Sequence, residues 1–78
     1  MYQEKRLSDI PLGKVVEIQK LDMEENMKRR LFDIGMIEGT KIKAILSSPW
    51  QDPIAYLVRG TMIALRKEDS QNIIVRTM

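Results

Sequence analysis

Asp22, Glu24 and Glu25 lie within one short stretch, and carboxylates that close could offer oxygens to a hard divalent cation. No second acidic cluster lies nearby in sequence to supply the remaining ligands. The same three acids suit a helix N-terminus, where they cap free N–H groups and meet the positive end of the dipole. Six methionines invite a thioether site for a soft metal such as Cu(I). Met1 and Met78 stand at the chain ends, Met23 and Met27 lie four apart, and Met62 falls in an apolar run. Flexible core filling explains such positions without a metal. The chain has no cysteine and no histidine, so it lacks a thiolate, the usual general base and the commonest transition-metal ligand. The residues therefore assign no catalytic group, no cofactor and no metal-ligand set, and the chain reads as a non-enzyme.

Residues suited to binding are easier to find. Lys28-Arg29-Arg30 is the only basic run, and three successive helical residues fan over most of a helix circumference. Its plain reading is a solvated face pairing with Glu24 and Glu25 at helical spacing. Arg29 and Arg30 are also docking candidates, since arginine is enriched at interfaces. Trp50 sits in a loop between Pro49 and Gln51-Asp52-Pro53. It either folds back to plug one end of the core or stands out as an anchor for another protein. The only aromatics are Tyr2, Phe32, Trp50 and Tyr56, too few for a stacked peptide groove or a single-strand nucleic-acid platform.

Charge excludes further classes. The 78 residues carry a net charge of +2, with residues 1–39 at −1 and residues 40–78 at +3. Neither half shows the single-sign field of a nucleic-acid or membrane-surface binder. No apolar run approaches the roughly 18–20 residues of a membrane span. The opening residues lack a signal-peptide core, which points to a cytoplasmic protein.

The elements that must position these residues follow from periodicity. Leu7–Gly13 reads as a loop, because Pro11 gives no ladder donor and Gly13 permits positive φ. Lys14–Leu21 alternates, with Val16 and Ile18 on one side and Glu17 and Gln19 on the other, as a half-buried strand does. The period then changes. Asp22 with Glu25 forms a capping box, Met27, Leu31 and Ile34 make one helical stripe, and Gly35 ends it. Lys41–Leu46 reads as a second strand with Ile42, Ala44 and Leu46 facing one way. Ile54–Val58 and Thr61–Leu65 read as a third and fourth, joined by a tight reversal at Arg59-Gly60. Arg66–Gln71 fits a single 3₁₀ turn, and Asn72–Val75 a fifth strand. Residues 1–78 thus read as one mainly β domain. The expected architecture is a small five-stranded SH3-like barrel with one α-helix inserted between strands one and two, with an OB-type barrel as second choice.

Four segments in this order resemble a known family. Leu7–Gly13 is similar to an opening L-x-D-x-P-x-G, and Arg30–Thr40 to a central R-L-x-x-L-G-h-x-x-G-T. Pro49, Asp52-Pro53-Ile54 and Arg59–Arg66 are similar to a closing D-P-I … R-G-x-x-x-A-L-R. From about Leu7 to Val75 the chain resembles the FeoA domain, ferrous iron transport protein A. Gln51 departs from it where Gly is common, and Trp50 is bulkier than the commoner Leu. The resemblance implies an SH3-like fold and a cytoplasmic, non-enzymatic role in bacterial ferrous iron uptake. It also implies a partner, the membrane transporter FeoB with its G-protein-like domain. Pro11, Gly13, Gly35, Gly39, Asp52, Pro53 and Gly60 read as residues that specify the fold. The charged motif residues Arg30, Arg59 and Arg66 join Arg29 and Trp50 as partner-binding candidates. The alternative is a stand-alone SH3-like domain of the iron-dependent-repressor type, acting through protein contacts, with a small nucleic-acid-binding barrel as a third reading. An uncovered barrel edge could also support a homodimer.

Overall fold

The computed structural model describes residues 3–77; Met1, Tyr2 and Met78, counted above, lie outside the described residues. A strand not foreseen in the sequence opens the chain. Glu4–Arg6 (β1) is three charged, exposed residues, paired antiparallel with the last strand. No apolar alternation marks it, so only its partner reveals it. A 3₁₀ turn over Leu7–Asp9 then buries Leu7, with Ile10 behind it.

Val15–Leu21 (β2) buries Val16 and Ile18 completely, as the alternation requires. It also runs on where a helix cap was expected. Leu21 still pairs with Ile73, and the Asp22 N–H donates to the Asn72 carbonyl at 2.8 Å. The helix Glu25–Asp33 (α1) therefore starts later, with Glu24 as N-cap and no side-chain capping bond, so the capping box at Asp22 and Glu25 does not form.

The far end of α1 obeys its glycine. The Gly35 N–H donates to the Phe32 carbonyl at 3.0 Å and the Met36 N–H to the Leu31 carbonyl at 2.8 Å. This is a Schellman closure, which needs the positive φ of +90° that Gly35 adopts. It also reorders the expected stripe. Leu31 is buried, but Met27 is only half-buried and Ile34 turns outward, while Met36 swings back to full burial.

Lys41–Ser47 (β3), Ile54–Val58 (β4) and Thr61–Leu65 (β5) form a meander, followed by one α-helical turn, Lys67–Ser70 (α2), where a 3₁₀ turn was expected. Arg59 and Gly60 both take positive φ, +51° and +82°, which gives the tight primed reversal between β4 and β5. Ile73–Thr77 (β6) completes one six-stranded antiparallel sheet, ordered β1-β6-β2-β3-β4-β5. The sheet curls around its core without closing, since β1 and β5 are not paired with each other. That corrects the expected five strands and the expected closure, while the SH3-like fold itself stands. The core is Val16, Ile18, Ile42, Ala44, Tyr56, Val58, Leu65, Ile73 and Val75 from strands, with Leu31 and Met36 from the helix end and Leu7 and Ile10 from the 3₁₀ segment.

Candidate functional site

Trp50 is 84% exposed, so it does not plug the core. It rides on a braced loop. The Ser48 hydroxyl accepts from the Asp52 N–H at 3.0 Å and donates to the Asp52 carbonyl at 2.8 Å. Gln51 has φ +64°, a left-handed backbone at the position where glycine is common in the resembled family. The Asp52 carboxylate accepts the Lys67 N–H at 2.8 Å, which ties the loop to the first turn of α2, and the Asp52–Pro53 bond is cis.

The arginines separate into groups. Arg29 lines an open groove of about 480 Å3 between α1 and the end of β2, with Leu21, Phe32 and Ile37 as its apolar surface. Arg30 lies exposed in the last turn of α1, where a cation suits the helix dipole. Arg59 crosses the end of the same helix, its Cδ 3.3 Å from where a Cβ on Gly35 would stand. Arg66 follows β5 in extended conformation. All four are exposed and make no ion pair with a described carboxylate. Lys28 instead takes Glu25, at 3.8 Å and well exposed, a contact worth little. Arg66 and the Trp50 loop thus lie at the open end of the β4–β5 pair, Arg59 lies at its turn end beside the end of α1, and Arg29 lines the groove of α1. Pro11 and Gly13 shape the turn before β2, and Gly39 the turn before β3, both glycines with positive φ.

One surface escaped the sequence reading. Cross-strand register places Val15, Lys43, Leu57 and Met62 in one row across four strands. Leu46, Ala55 and Ala64 form the next row, because a bulge between Ala44 and Leu46 turns Leu46 outward to 54% exposure. The outer face of β3–β5 is therefore mostly apolar, while the row Glu4, Arg76, Glu17 and Lys41 across β1, β6, β2 and the start of β3 is charged. The available signal was the unbroken apolar run of Ile54–Val58, which lacks the polar alternation of a solvated face.

Inside, the Tyr56 hydroxyl is fully buried and has no hydrogen-bond partner among the described residues. Burial pushes its pKa up from 10.0; the Ser70 hydroxyl facing it pulls down without reaching hydrogen-bond geometry, and the Asp52 charge adds to the rise. Among the described residues no group of three His, Cys, Asp or Glu side chains could hold a metal ion, and no helix is long and apolar enough to cross a membrane.

Known proteins share this arrangement. The Fe(2+) transport protein A/Fe(2+) transporter FeoB fusion protein of Porphyromonas gingivalis is 27% identical over 68 residues. That match takes in 87% of this chain but 8% of the fusion protein's length. The solution structure of FeoA from Chlorobium tepidum superposes with TM-score 0.88 at 29% identity, covering 94% of this chain and 70% of that one. The zinc complex of FeoA from Stenotrophomonas maltophilia, a prokaryotic SH3-domain protein, gives TM-score 0.71 at 26% identity over 88% of this chain and 86% of that one. The FeoA domain pattern runs through residues 5–77, from β1 to the last residue of β6. On that match this chain belongs to the FeoA domain family.

Proposed function

We propose that the chain is a cytoplasmic, non-enzymatic accessory module that docks on the cytoplasmic part of a FeoB-type transporter and modulates ferrous iron uptake. The observation that carries this reading is the Porphyromonas gingivalis relative, where a transport protein A segment and a FeoB transporter are one polypeptide. Covalent joining holds two modules at high effective concentration, which supports contact between a domain of this kind and the transporter. The surface supports such contact. Trp50 stands out, four arginines form no ion pair with a described carboxylate, and the outer face of β3–β5 is mostly apolar.

Uptake of ferrous iron by cells carrying the transporter, with and without this chain, tests the role. Removing the chain changes the initial uptake rate several-fold, and the wild-type chain restores it. An unchanged rate at equal transporter abundance contradicts the proposal.

A further inference from the structure

The two edges of the sheet are treated very differently. A strand edge exposes unpaired N–H and C=O groups, and proteins guard edges with charges, prolines or bulges. At one edge β1 is Glu4-Lys5-Arg6, every residue charged and exposed. At the other, β5 is Thr61-Met62-Ile63-Ala64-Leu65, with no charge, no proline and no bulge against β4. Among the described residues β5 is laddered to β4 alone. Its outward side chains, Met62 and Ala64, are exposed and continue the apolar rows of Leu57 and Ala55.

Two exposed cations bracket this edge. Arg59 precedes β5 and Arg66 follows it, both exposed and without an ion pair to a described carboxylate. Lys43 lies in the Met62 row of the outer face and Lys41 opposes Glu17. Glu17 is occupied by Arg76, whose NH2 stands 2.7 Å from its Oε1. The acids of the same half of the chain lie near the Arg66 end, since Asp52 accepts the Lys67 N–H and Glu68 and Asp69 belong to α2. None of these three forms an ion pair with Arg66. Arg59 and Arg66 thus stand at the two ends of an open, apolar sheet edge.

We propose that β5 is an acceptor edge for an extended segment of a partner protein, apolar at its centre and acidic at both ends. The segment adds as a further strand, its backbone completing the ladder of β5 and its acidic flanks meeting Arg59 and Arg66. A second copy of this chain fits poorly. With β5 antiparallel to itself about Ile63, Arg59 opposes the partner's Lys67 and Arg66 the partner's Gly60, so cations crowd both ends. The inference concerns the chemistry of the edge and stands whether or not the partner transports iron.

The test is an NMR titration of the isotopically labelled chain with a blocked octapeptide, Asp-Glu-Val-Thr-Val-Thr-Glu-Asp, up to about 1 mM. A second peptide carries Lys at the four acidic positions, and a third is N-methylated at alternate central residues. Trp50, the sole tryptophan, gives a second signal by fluorescence. The acidic peptide is expected to shift and protect the amides of Thr61–Leu65, and both altered peptides to bind at least about tenfold more weakly. Arg66→Glu is expected to reverse the flank preference toward the Lys peptide, while the flank comparison on the native chain needs no folded variant. The proposal is overturned if the Thr61–Leu65 amides stay unperturbed at the highest concentration, or if acidic and basic flanks bind alike. Shifts confined to the groove around Phe32 also overturn it, as does a dimer by sedimentation with β5 amides already protected.

Discussion

Tyr56 concentrates the tension between size and polarity in so small a core. Its side chain is fully buried in the core cluster, at a position on β4 flanked by Ala44 of β3 and Ile63 of β5, yet its hydroxyl finds no partner among the described residues. An unmet buried hydroxyl contributes little or weakens the fold, so Tyr56→Phe is expected to leave stability within about 0.5 kcal/mol or raise it. Loss of about 1–2 kcal/mol in urea unfolding would reveal a bonded hydroxyl. The same variant reads a pH effect. Because burial raises the phenol above 10.0, the folded chain keeps a proton that the unfolded chain has released. Stability from this group is full below pH 10 and falls as pH climbs past it. The native chain should therefore lose stability more steeply there than Tyr56→Phe, and parallel curves would contradict the burial. None of this was legible in sequence, since an aromatic in an apolar run says nothing of where its hydroxyl ends.

At the scale of elements, what the sequence conveyed was period, and what it concealed was departure from period. Val16 and Ile18 alternate and are buried, and Arg59-Gly60 marks its hairpin. Ile42, Ala44 and Leu46 share the same spacing, but the bulge after Ala44 advances the strand by one residue and turns Leu46 out. In α1 the Schellman closure turns Ile34 out and Met36 in. Both reversals are backbone events with no side-chain pattern of their own. They invert the ranking that periodicity gives to two substitutions. Met36→Ala is expected to destabilise by about 2–4 kcal/mol, because it empties a fully buried site. Leu46→Ser should stay within about 0.5 kcal/mol. Equal losses in matched denaturant melts would mean that neither reversal occurs in solution.

The molecule as a whole joins a thin core to a surface with two characters. Residues 3–77 bury one continuous apolar cluster, while the outer face of the sheet leaves Leu46, Met62 and Val15 exposed beside Lys43 and the hairpin arginines. Absence of cysteine and histidine was legible from composition and steered the reading away from catalysis. The family motifs were legible too, yet most of their glycines and prolines sit at turns, so they marked the fold and left the apolar outer face of β3–β5 unseen. That face emerged only from strand register, which no local spacing encodes. The central claim is that this surface holds a FeoB-type transporter by contact. It is tested most directly by calorimetric titration of the chain into the purified cytoplasmic region of that transporter. The account predicts saturable binding that weakens at least tenfold for the Trp50→Ala/Arg66→Glu double variant. Absence of heat or saturation with the folded wild-type chain, across nucleotide states of the G-protein-like domain, would contradict it.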